Sequence, residues 1–212
     1  MKKILFALPL LAAVPLFAQG GAPTKPGAPD ATRVTAGSYK TDPNHTLIGW
    51  RVDHLGFNDY FGIFGDVVGT LVIDPKNLAT AKVDITIPVA KVTTANVGLS
   101  AHLLRAGKEG GKPDFFGPTP ADAHFVSTSV VASGTTAKIS GNLTLNGVTK
   151  PVTLDARFSG AGTTPAFMGG KETVGFAAKT TIKRSDFGVN YGIPFISDEV
   201  QLDISVAFEK TV

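Results

Sequence analysis

Four histidines, no cysteine and a scatter of carboxylates are the side chains with which this 212-residue chain would do chemistry. Two of the histidines, His45 and His54, bracket the stretch "HTLIGWRVDHLGFNDYFGIF" at residues 45 to 64. On a strand, their spacing corresponds to roughly 30 Å, and an odd separation turns them to opposite faces. They therefore do not share a metal through that strand. His102 and His124 come without an HxH, HExxH or cysteine companion, so neither a metal site nor a cofactor is expected. Ser100 lies in "GLSAH", which lacks the closing glycine and the strand-to-turn setting of a nucleophile elbow, and reads as a helix residue. "GIFGDVVG" runs into a strand rather than a helix, so it is no phosphate loop.

More informative are polar side chains that fall on apolar faces. Ile48, Trp50 and Val52 alternate with Gly49, Arg51 and Asp53, and His54 continues the apolar set. Lys150 continues Val148 and Val152, and Arg184 continues Val174, Phe176, Ala178, Thr180 and Ile182. Two readings stand. Each residue lies at a rim and reaches water or a carboxylate such as Asp186 or Asp198, or each meets the polar end of a molecule bound in a cavity. Phe57, Phe61, Phe64, Phe115, Phe116 and Phe125 carry the same pair of readings, as plugs of a barrel end or as the lining of an apolar channel.

The elements that would position these residues are mostly strands. Period-two alternation marks Val83 to Val89 and Val200 to Phe208 as well as the segment ending at His54. Asn146-Gly147 between "NLTL" and "VTKPVTL" is a type I′ hairpin signal that sets Leu145 opposite Val148 and Leu143 opposite Lys150. Pro151, lacking an N–H, belongs where no ladder bond is donated. Further strands are expected near residues 66 to 73, 124 to 131, 136 to 145 and 172 to 184. One helix is expected over 95 to 105, begun after Thr93 or Thr94 and stopped by Gly107. About eight antiparallel strands with short turns make an all-β barrel or sandwich.

The chain opens with Lys2 and Lys3, an apolar run over residues 4 to 17, and Ala18. This pattern predicts a secretory signal peptide over 1 to 18 and a periplasmic destination. Its removal lowers the formal charge from +3 to +1, and no basic run survives, which argues against a nucleic-acid partner. Residues 19 to 37, rich in Gly, Pro, Ala and Thr, predict a flexible spacer. Residues 38 to 212 then form one domain, whose stability rests on its core without disulfides.

"YKTDPNHTLIGWRVDHLGFNDYFGIFGDVVGTLVID" resembles the opening of the YceI-like family, and "ITIPVAKVTTAN", "HLL", "DFF", "HFVSTSV", "GNLTLNGVTKPVTL", "GFAAKTTIKRSDFGVN" and "ISDEVQLDISVAF" resemble its later blocks in order. The resemblance implies an eight-stranded, lipocalin-like antiparallel barrel with one short helix near an opening. It also implies an exported, non-enzymatic carrier of isoprenoid lipid, such as a polyprenyl pyrophosphate or an isoprenoid quinone, with transient contact to a membrane surface. Leu99-Ser100 and the inserted "AGKEGGKP" at 106 to 113 depart from the family pattern near the presumed entrance. On this reading the tail lies among Ile48, Trp50, Val52, Phe125, Leu143, Leu145, Phe176 and Ile204. His102 and Leu103 ride on a lid helix, and His54 and Arg184 stand at the head group. Two alternatives remain: an enzyme with His54 as general base helped by Asp53, or a structural envelope protein with a solidly packed barrel.

Overall fold

A computed structural model describes residues 24–211. The expected signal peptide and the first residues of the spacer lie outside the described residues. Eleven strands follow one another: β1 (Gly37–Thr41), β2 (Leu47–His54), β3 (Asn58–Phe64), β4 (Val68–Ile73), β5 (Lys82–Ile87), β6 (Val92–Thr93), β7 (Ala123–Ser133), β8 (Thr136–Leu145), β9 (Val148–Thr163), β10 (Glu172–Lys183) and β11 (Glu199–Lys210). The helix α1 (Val97–Leu104) stands between β6 and β7.

Three pairs of these strands are broken halves of longer staves. β1 and β2 both pair with β11, β4 pairs with β1 as β3 pairs with β2, and β6 continues β5 along β3. Counted as staves, the sheet has eight and is closed by the pairing of β1 with β11, Tyr39 opposite Lys210 and Thr41 opposite Phe208. Closure leaves no stave with a wholly bare edge, although β9 beyond Arg157 has no ladder on its β8 side. The breaks have local causes: Pro88 carries no N–H to continue β5, and Asp66 takes a positive φ of 54° between β3 and β4.

The Asn146-Gly147 turn forms as expected, with φ of 52° and 76° and with Leu145 opposite Val148 and Leu143 opposite Lys150. Pro151 sits where β9 is paired with β8 alone, its ladder with β10 ending at Asp155. Lys150 ends up exposed beside that turn.

Three local expectations give way. Residues 58 to 64, which are not among the expected strands, form β3, because Tyr60, Gly62 and Phe64 alternate on one face. The helix begins later than expected, after Asn96, whose Oδ1 accepts the Leu99 N–H at 3.0 Å. The spacer is not free of the barrel over its described part: Ala28 and Ala161 exchange backbone hydrogen bonds of 3.1 and 2.9 Å.

Two buried clusters hold the interior together. One joins Tyr39, Leu71, Ile73, Ala161, Val174 and Phe208 near the end where the chain enters, here called the lower end; the other joins Phe125, Leu143 and Phe187 toward the opposite end. Phe176 stacks edge-on against both Phe158 and Phe208, at 5.8 and 6.3 Å.

Candidate binding cavity

Between and beside these clusters the barrel is hollow, with a cavity of about 540 Å³. Its walls are almost wholly aliphatic and aromatic, because the inward position of each stave is apolar. Ile48, Trp50, Val52, Phe125, Leu143, Leu145, Phe176 and Ile204 all line it. Trp50 owes its place to its cross-strand partner Gly62: a Cβ there would lie 2.1 Å from the Trp50 Cζ2 atom. The indole N–H of Trp50 is covered on all sides and has no acceptor among the described residues.

The upper end is built from α1, the β2–β3 turn and the loop from Arg184 to Asp198. His54, Phe64, His102, Leu103, Phe115 and Phe116 reach the cavity there. His102, Phe115 and Tyr191 form an edge-to-face triangle with centroids 5.2 to 5.5 Å apart. Phe116 stacks on Phe64 at 6.2 Å, and its N–H donates to the Leu103 carbonyl at 3.0 Å. Asp114 fastens the helix by accepting from Arg105 at 2.6 Å and pairing with His102 at 2.7 Å. Those two contacts, Arg105 first, hold the Asp114 carboxyl below its ordinary value of 3.8.

Two expected lining residues are not there. Phe57 is 86% exposed at the β2–β3 turn, and Phe61 is 60% exposed on the outer face. Parity explains Phe61, which stands opposite Arg51 and one residue from the inward Gly62. The left-handed Leu55 and Gly56 throw Phe57 outward.

Arg184 does reach the cavity wall, yet it is only 6% exposed and four of its five N–H donors are occupied. Its Nε donates to the Ser197 carbonyl, Nη1 to those of Val189 and Tyr191, and Nη2 to that of Ile196, all at 2.8 to 3.0 Å. It therefore ties the upper loop rather than presenting a free cation to a head group. Burial pulls its pKa below the ordinary arginine value, with the Asp198 charge opposing. Asp198 itself accepts the Ser185 N–H and Oγ–H; burial pushes its carboxyl up, and those bonds bring it below the ordinary value.

A catalytic arrangement is not assembled around His54. Asp53 points outward and accepts the Gly56 N–H at 2.9 Å, and among the described residues no side chain hydrogen-bonds the His54 ring. Ser100 is tied to the start of α1, its Oγ accepting the Thr94 N–H at 2.8 Å. His45 pairs with Asp42 and His124 with Asp84, each at 2.6 Å, and among the described residues no cluster of metal-ligating side chains occurs. The interior is not filled by Trp50, Phe125 and Phe176, as a solidly packed barrel requires.

Other lining residues went unread in the sequence. Tyr60 follows from the β3 alternation once that segment is taken as a strand. Tyr191 and Ile196 sit in an irregular loop placed by Arg184, and Val34 belongs to the supposed spacer; no periodicity marks them.

Residues 39–208 match the YceI-like domain. Protein YceI of Shigella flexneri is 41% identical over 179 residues, covering 83% of this chain and 88% of that protein. The solved YceI protein of Campylobacter jejuni superposes with a TM-score of 0.62 at 30% identity, covering 76% of this chain and 90% of that one. A polyisoprenoid binding domain from Saccharophagus degradans, implicated in plant cell wall breakdown, shares the fold with a TM-score of 0.56 at 16% identity, over 82% of this chain and 98% of that one. A hollow eight-stave barrel under a short helix, with a domain match across nearly all of its strands, settles the classification: this chain belongs to the YceI-like family.

Proposed function

We propose that this protein is exported to the periplasm and there binds and carries an isoprenoid lipid, such as a polyprenyl phosphate ester or an isoprenoid quinone. The observation that carries this reading is the apolar cavity along the barrel. The head group lies at the upper end near His54, Tyr60 and Tyr191, and the tail lies among Ile48, Trp50, Phe125, Leu143 and Phe176. The polyisoprenoid binding described for the Saccharophagus degradans domain supports the ligand class, and the Lys2-Lys3 leader supports export.

At roughly 30 Å³ per water-sized group, the cavity has room for about 18 such groups, or about four isoprene units. A tail of this kind is already shielded from water in a bilayer, so transfer into the barrel gains little from the roughly 0.8 kcal/mol per methylene that separates water from oil. Chain shape and head-group contacts then decide affinity. Leu55, Phe57 and Phe195 are exposed around the upper end, Leu55 N–H donating to the Phe195 carbonyl at 2.7 Å, and supply the transient membrane contact such a carrier needs.

Native mass spectrometry of the mature protein, with organic extraction of the bound material, tests this. The expected result is a one-to-one complex with a polyprenyl lipid or quinone. Protein that is repeatedly empty and takes up neither class on incubation overturns it.

A further inference from the structure

The lower end of the cavity is bounded by chain that precedes the barrel. Ala31 and Val34 line the cavity there, beside Pro75, Leu78 and Gly134 from two turns of the barrel. This stretch is anchored on both sides. Upstream, Ala28 pairs with Ala161 on the edge of β9 left free where the ladder to β8 ends at Arg157. Downstream, the Thr35 hydroxyl donates to Glu172 at 2.5 Å, and the Tyr39 hydroxyl donates to the Thr35 carbonyl at 2.8 Å. Between the anchors runs a single helical turn, Ala31–Arg33, capped by Asp30, whose Oδ1 accepts the Thr32 N–H at 3.0 Å. Val34 packs on the lower core cluster.

The barrel wall is cut to receive it. A Cβ at Gly162 would lie 2.1 Å from the Pro26 carbonyl oxygen, and one at Gly160 3.0 Å from that of Ala28. For both glycines, all of the nearest atoms belong to the incoming segment and none to the barrel. A spacer that merely trailed from the domain would impose no such requirement on β9.

We propose that residues 26 to 36 form a stopper at the lower end of the cavity and that Ala31 and Val34 set the longest tail the barrel encloses. The inference rests on the carrier reading and names its length determinant. Tails up to about four isoprene units gain affinity with each added unit, and longer ones gain no more, because the stopper denies them room.

The test is affinity for a series of isoprenoid alcohols, geraniol, farnesol, geranylgeraniol and octaprenol, measured on the mature full-length protein and two variants. Gly162→Val expels the segment from β9, so its affinity goes on rising past geranylgeraniol and exceeds wild type for octaprenol by about tenfold, the worth of roughly two buried methylenes. Ala31→Phe, at an exposed position that poses no folding problem, fills the floor; it loses about tenfold for geranylgeraniol and stays within about twofold for geraniol. Identical length profiles in all three proteins, with wild type binding, overturn the stopper and leave the carrier reading standing. A wild type that takes up none of the four alcohols overturns the stopper, and the carrier reading falls with it when the protein also takes up no polyprenyl phosphate ester or quinone.

Discussion

Arg184 continues the inward face of β10, and at that parity an arginine needs an anion, water or hydrogen-bond acceptors. The fold supplies acceptors, four carbonyl oxygens from Val189 to Ser197, which no sequence pattern announces because they come from an irregular loop. Replacing Arg184 by Met leaves those carbonyls without their donor. We expect a loss of about 3 kcal/mol, read as a lower urea midpoint. Arg184→Lys recovers only part, since an ammonium cannot span the same fork of acceptors. Gly62 is a second residue whose role needed the fold. Gly62→Ala sets a methyl against the Trp50 ring, so the indole must swing away, and the fluorescence spectrum of this single tryptophan shifts with the loss of wall packing. By contrast, Ile48, Trp50, Val52 and Ile204 were legible from alternation alone, because a one-sided strand has only one way to bury its apolar residues.

At the level of elements, α1 is a short helix held over the cavity by its partners more than by itself. Asp114, bonded to Arg105 and His102, is the polar fastening. Its carboxyl is depressed in the folded state, so the stabilisation is present above its ordinary value of 3.8 and is lost as pH falls through the lower folded value. Asp114→Asn should flatten the acid limb of the thermal-stability profile relative to wild type. The helix was readable from its composition, but its start was misplaced. Thr93, Thr94 and Asn96 all suit a cap, and only the geometry selects Asn96. β3 was hidden for a related reason: glycines and aromatics punctuate it like a loop, and Trp50 lying across Gly62 is what makes glycine compatible with a strand there.

For the molecule as a whole, the upper end combines cavity-lining His54 and Tyr191 with outward Leu55, Phe57 and Phe195, a combination that suits collecting a lipid from a bilayer. The variant Phe57→Asp, Phe195→Asp should extract a fluorescent polyprenyl lipid from vesicles about tenfold more slowly, while its equilibrium affinity for free geranylgeraniol is unchanged within about twofold. Equal extraction rates would remove the membrane-contact role from these residues. The closed barrel was foreshadowed by the count of strands and by the family blocks. Its lower end was not, because a Gly- and Pro-rich stretch binds β9 through backbone atoms, and backbone bonds leave no side-chain signature.

Closure by β1 against β11 has one more consequence. Tyr39 stands opposite Lys210, and the Thr211 N–H donates to the Ser38 carbonyl at 2.9 Å, so the two ends of the domain lie side by side. The order in which the staves are joined is therefore separable from the barrel they make. A circular permutant that bridges 211 to 37 with a few glycines and opens at the exposed Ser133–Thr136 turn should still close its barrel. It would begin at β8, and the segment that had preceded β1 could then be supplied as a separate peptide.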